Sequence, residues 1–90
     1  MAYRMTQKEM VMHLKEDAEY FPFEQIRDFK HLQKQPIDIA EDVKSDYLGF
    51  FKDVKKECER LLQTQPHNEN SALWSEAIEE INKILNQRAE

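Results

Sequence analysis

The chain reads as an all-α protein, a compact four-helix bundle around a long central third helix, and three features of its 90 residues lead there. Gly occurs once and Pro three times while 34 % of residues are charged, a composition of long helices with short connections rather than strands and tight turns. Two long stretches place their apolar residues on one side of a helical wheel. Five Phe, three Tyr and one Trp, within a hydrophobic share of 40 %, supply a core that a disordered chain lacks. The length fits a single domain, 1–90, with one modest core, near the size at which dimerisation often supplies missing stability.

The first helix is expected over 7–19. Thr6 and Glu9 stand at capping-box spacing, so the Thr hydroxyl can take the Glu9 amide while the Glu9 carboxylate reaches back. Met10, Val11, Leu14 and Ala18 form a narrow apolar stripe with Met12 outside it. Pro22 disfavours helix at Phe21 and suits the first turn of a second helix, expected over 23–33. There Phe23, Ile26, Phe29 and Leu32 recur every third residue. That spacing drifts around the helix and buries more than one side or leaves an aromatic exposed.

After the polar connector Gln33 to Pro36, the third helix is expected over 39–62, capped by Asp38. Ile39, Val43, Tyr47, Phe50, Phe51, Val54, Cys58, Leu61 and Leu62 fall within about 140° of the wheel, and charged residues fill the far side. Its length is roughly 36 Å, more than any other helix here can reach. Gly49 sits in its middle at a cost of about 1 kcal/mol relative to Ala. Close approach of a neighbouring helix is the structural reason expected, with a hinge as the alternative. Thr64 to Glu69 is a loop, Asn70 or Ser71 caps the last helix, and that helix, over 72–87, carries the second clear stripe on Leu73, Trp74, Ala77, Ile78, Ile81, Ile84 and Leu85. Glu79 and Lys83 are ordered for an i,i+4 pair on its outer side.

Little in the chain suggests catalysis. Cys58 could pair with His13, His31 or His67, but it lies on the apolar stripe, where a free Cys is a small core residue. A single glycine leaves no glycine-rich phosphate loop. Glu9, His13 and Asp17 share a helix face, and Asp28 precedes His31 by three, yet no Glu-x-x-His occurs and these groups lie off the apolar stripe. No metal site, cofactor or enzyme activity is expected. A lone Cys, no apolar run of signal-peptide length and no span-length segment point to a cytoplasmic protein without membrane contact.

The net charge of −5 is uneven, residues 37–90 holding seven basic against twelve acidic groups. The one basic cluster, Lys52, Lys55, Lys56 and Arg60, is interrupted by Asp53, Glu57 and Glu59, so it reads as a mixed-charge face rather than a grip on phosphate. Asp38, Glu41, Asp42 and Asp46 make an acidic patch at the start of the third helix, which favours the helix dipole and could also steer a basic partner. Tyr20, Phe21, Phe23 and Phe29 cluster at the junction of the first two helices. Any that stay exposed would anchor a partner, with Met5, Met10 and Met12 nearby as adaptable surface.

The stretch from Leu61 through Pro66 and Asn68 to Trp74 resembles the junction between repeats of tetratricopeptide proteins, where one helix ends in leucine and a loop with proline and asparagine opens the next. The resemblance covers these 14 residues. No second copy follows at the period of about 34 residues, and such arrays need about three repeats.

The expected function is therefore that of a small non-enzymatic protein-protein interaction module, a regulator, adaptor or inhibitor of a larger protein with a basic surface. One alternative is a structural homodimer closed by Leu48, Phe51 and Leu62. Another is a helix-turn-helix gripping nucleic acid through Arg27, Lys30 and Lys34, which the acidic balance disfavours.

Overall fold

In a computed structural model, which describes residues 5–34 and 41–88, with side chains over 5–34 and 44–86, four helices follow one another and no strand is found among the described residues. The first, α1, spans Gln7–Glu16 and opens on the expected box. Thr6 Oγ1 accepts the Glu9 amide at 3.1 Å, and the Glu9 carboxylate accepts the Thr6 amide at 3.2 Å. The helix stops three residues short of its expected end. Asp17 is its C-cap, and the carbonyl of Asp17 then accepts both Tyr20 and Phe21 amides at 2.8 Å, folding 17–22 into turns. The Phe21–Pro22 peptide is cis.

Helix α2 spans Phe23–Lys34 and α3 spans Glu41–Thr64. Gln33, expected where helix meets connector, is helical, and Lys34, expected in the connector, is the last residue of α2. The expected cap Asp38 and first residue Ile39 lie outside the described residues, as does the side chain of Val43. At its other end α3 runs two residues past Leu62. There the Thr64 hydroxyl donates to the Arg60 carbonyl at 3.0 Å, a helical side chain taking up a last-turn acceptor. Helix α4 spans Ser71–Arg88, and its first backbone bond, Trp74 amide to Asn70 carbonyl, places Asn70 at the cap.

The fold is an all-α bundle with α3 as its longest member, and its 42 Å long dimension is close to the length of that helix. The contact between α3 and α4 is the most extensive, and α1 also lies on α3. Helix α2 also brings its backbone close to α4. Its link to α3 is made by rings, with Phe29 packed on Tyr47 at 5.3 Å and edge-on to Phe51 at 5.6 Å. Phe50, Phe51, Val54, Cys58 and Leu61 of α3 meet Trp74, Ala77, Ile81 and Ile84 of α4 in one buried cluster, so both sequence stripes are core.

Trp74 locks α1 to α4. It is 1 % exposed, and its indole N–H donates to the Leu14 carbonyl at 2.8 Å. One turn earlier the Asn70 side-chain amide donates to the next carbonyl, that of Lys15, at 2.9 Å. The end of α1, where carbonyls run short of helical partners, is thus closed by donors from the start of α4.

Two local expectations are corrected. Gly49 is exposed in a continuous helix, and a methyl group built on it meets nothing within 4 Å among the described residues, so neither a neighbouring helix nor a hinge accounts for it. Lys83 pairs with Glu80 at 3.5 Å rather than with Glu79. Glu80 also accepts Lys30 of α2 at 3.3 Å, and these two ammonium groups hold its carboxyl below the usual range.

Candidate docking face

Three open depressions of the surface meet at one side chain, Met5. The first, about 640 Å³, lies between the start of α1 and the second half of α3. The second, about 340 Å³, continues along α3 past Gly49 to Ser45. The third, about 390 Å³, lies between the end of α1 and the start of α2 and is bordered by His13, Tyr20 and Glu24. Met5 borders all three, and Met10 borders the two along α3. The capping box at Thr6 fixes the direction in which the chain enters α1 and so holds Met5 over this junction.

The rim is acidic. Asp46, Asp53, Glu57 and Glu59 border the depressions from α3, Asp17 and Glu24 from the turn and α2, and the cations among them are Lys56 and Arg60. Arg60 is engaged with Glu57 through two bonds of 2.7 and 3.0 Å. Glu57 is only 9 % exposed and is the one buried charged residue among those described, a carboxylate kept at the edge of the core by an arginine whose Nε and Nη2 both donate to its Oε1. At the third depression His13 Nδ1 lies 3.1 Å from Asp17, and its ring stacks at 5.3 Å on Phe21. Beside them the carbonyl oxygen of the Gln25 side chain is buried without a hydrogen-bond partner among the described residues.

The expected anchors separate into two groups. Tyr20 is 59 % exposed and borders the third depression, and Phe23 is half-buried against the core. Phe21 and Phe29 are buried and cannot anchor a partner, because Phe21 packs edge-on to Phe50 at 5.8 Å and Phe29 belongs to the α2–α3 ring contacts. Of the acidic patch, Asp46 is half-buried and borders the second depression. Asp38 lies outside the described residues, as do the side chains of Glu41 and Asp42. Tyr20 and Asp46, 26 positions apart in sequence, thereby border depressions that meet at Met5.

The homodimer reading loses its central residue. Phe51 is 0 % exposed and fills the chain's own core, while Leu48 and Leu62 are half-buried against that same core. Of the three cations named for nucleic acid, Lys30 is paired with Glu80, and Arg27 and Lys34 are exposed.

Burial, with Glu57 and Glu59 adding like charge, pushes the Cys58 thiol up to about 12, so it stays protonated and unreactive near neutrality. No three of His, Cys, Asp and Glu converge as metal ligands among the described residues. Glu9, which shares a helix face with His13 and Asp17, is engaged with its cap at Thr6. Among the same residues no helix is long and apolar enough to cross a membrane.

Sequence reasoning underrated two residues. Glu57 has the same wheel angle as Ile39, at the edge of the apolar stripe, and Gly49 lies at about 280°, well outside it. Both placements were readable from periodicity alone. Family models, curated protein sequences and solved structures all yield no match to this chain.

Proposed function

We propose that the chain is a small non-enzymatic interaction module of the cytoplasm, a regulator, adaptor or inhibitor that docks on a larger protein through the face around Met5. The supporting observation is the meeting of three depressions on one methionine inside a rim where six carboxylates face two cations. Methionine gives adaptable apolar contact, and Tyr20 supplies an amphipathic ring at the edge. The carboxylates raise the rate of encounter with a basic surface and reject acidic ones. A buried, protonated thiol and a lone His–Asp pair at an open edge do not assemble a nucleophile, base and oxyanion pocket.

The test is capture from the source cells with the intact chain, beside Tyr20→Ala and a Asp46→Lys/Asp53→Lys double variant, each checked for unchanged helicity. A specific protein retained by the wild type, lost with both variants and released by moderate salt is the expected outcome. Equal retention by all three chains refutes the docking face.

A further inference from the structure

We infer that the occupant of this face is a cationic amphipathic helix from a partner protein, laid along α3 with its backbone crossing closest at Gly49. This rests on the interaction-module reading and adds the class of ligand and its line of approach.

The first ground is shape. The α3 residues that border the two continuous depressions run from Ser45 to Gln63, a length of roughly 27 Å. Most of them fall within about 100° of the wheel, no described residue of α4 borders the trough, and Met5 before α1 and Met10 within it line the same trough. A trough of this length has the dimensions of the helix-in-groove mode of recognition, with Met5, Met10 and Phe50 as its apolar floor between mostly polar and charged walls.

The second ground is charge. Along the trough Asp46, Asp53, Glu57 and Glu59 outnumber Lys56 and Arg60, and Arg60 already donates to Glu57. A second copy of the chain would bring the same carboxylates against these, and a nucleic-acid backbone would be repelled. A helix with Lys or Arg flanking an apolar stripe is the complementary shape and charge.

The third ground is Gly49 itself. It is the only glycine in the chain, and it sits near the middle of the trough's sector. An added methyl group meets nothing within 4 Å among the described residues, so none of them requires Gly49 to lack a side chain. It nonetheless weakens the middle of the longest helix by about 1 kcal/mol. A bare backbone at the centre of an open trough is what a second backbone crossing at close range requires, and Ser45 one turn earlier is also small.

The test uses a synthetic peptide of about 18 residues, Leu on one helical face and Lys on the other, with a scrambled peptide of equal composition and a Leu/Glu version as controls. Titration calorimetry of the full chain at about 0.15 M salt is expected to show the Leu/Lys helix binding at least about tenfold tighter than the scramble, and no binding of the Leu/Glu helix. Gly49→Leu is expected to weaken binding by about tenfold or more while the melting temperature stays level or rises, since Leu is the better helix former.

Equal affinity for the scramble reduces the effect to net charge and overturns the inference, as does binding unchanged by Gly49→Leu or absent altogether. Light scattering that shows a dimer abolished by Gly49→Leu assigns the trough to a second copy and overturns it too. If the peptide fails while cellular capture remains sensitive to Tyr20, Asp46 and Asp53, the helix inference alone falls. If capture is insensitive as well, the docking face falls with it.

Discussion

Replacing Trp74 by Phe removes the buried one of the two side-chain hydrogen bonds that tie the start of α4 to the end of α1. The donor lies 2.8 Å from the Leu14 carbonyl, in a place where Trp74 is 1 % and Leu14 0 % exposed, so water does not replace it without opening the core. Leaving that buried acceptor unmet costs about 1–3 kcal/mol. The smaller ring also leaves space against Ile81 and the other buried neighbours, adding about 1 kcal/mol when the site collapses only in part. A total of roughly 2–4 kcal/mol is a large part of the 5–15 kcal/mol typical of a domain, and it lowers Tm by at least about 8 °C at this size. Urea unfolding followed by far-UV circular dichroism measures it, because the fluorescent reporter is itself removed. Asn70→Ser is the internal reference, since it removes the exposed 2.9 Å bond to the adjacent Lys15 carbonyl while keeping a good cap residue for α4, and its loss costs only about 0.5–1 kcal/mol. A Trp74→Phe loss below about 1 kcal/mol, or one equal to that of Asn70→Ser, refutes the claim that a buried bond closes this end of the bundle.

Gly49→Ala is expected to stabilise the chain by about 0.5–1 kcal/mol, because the position is helical, exposed and free of steric neighbours among the described residues; urea midpoints decide it, and a loss of stability contradicts the open surroundings. Thr6→Ala removes the box at the start of α1 and should cost about 1 kcal/mol, with faster amide exchange confined to the first turn of that helix. Cys58, with its thiol pushed up to about 12, should resist an aromatic disulfide reagent at pH 8 until urea unfolds the chain; stoichiometric labelling of the native protein would show the site is open. The Glu80 carboxyl is held below its ordinary range by Lys30 and Lys83, so its contribution is present above that range and fades as pH falls through the lowered value. The stability gap between wild type and Glu80→Gln should therefore narrow in acid, and a gap that widens there has the wrong sign.

Periodicity made most of the fold legible. The Thr6 box, the α3 and α4 stripes and the loop before Asn70 each depend on spacing within one element, and each stands where spacing puts it. What spacing could not decide was how α2 is turned relative to the rest. A repeat of three at Phe23, Ile26, Phe29 and Leu32 defines a drifting face, and only the turns at 17–22 select which part of it meets α3. Hence Phe21 and Phe29 went inside while Tyr20, one residue before Phe21, stayed in solvent. The end of α1 was misplaced for a related reason, since Asp17 terminates it through a turn that takes two amides on one carbonyl, and no proline or glycine marks that point. Of the candidate face, Tyr20, Met5 and Asp46 were visible singly, but their meeting depends on α1 lying across α3 and has no local signature.

Three departures from local optimality border the same face. Gly49 weakens the middle of α3, Glu57 keeps a carboxylate at the edge of the core, and Gln25 holds a buried carbonyl oxygen without a described partner. Elsewhere the described chain obeys the usual rules: the buried indole is bonded, the first helix is capped, and the paired charges lie at the surface. Sequences tend to break such rules where a surface has work other than folding, because substitutions that improve stability there are removed by their cost to binding. A glycine, a carboxylate and an amide have no common structural reason to gather around Met5. Under the proposed docking, a partner that approaches closely and carries positive charge would account for Gly49 and Glu57, whereas the Gln25 oxygen is buried beyond its direct reach.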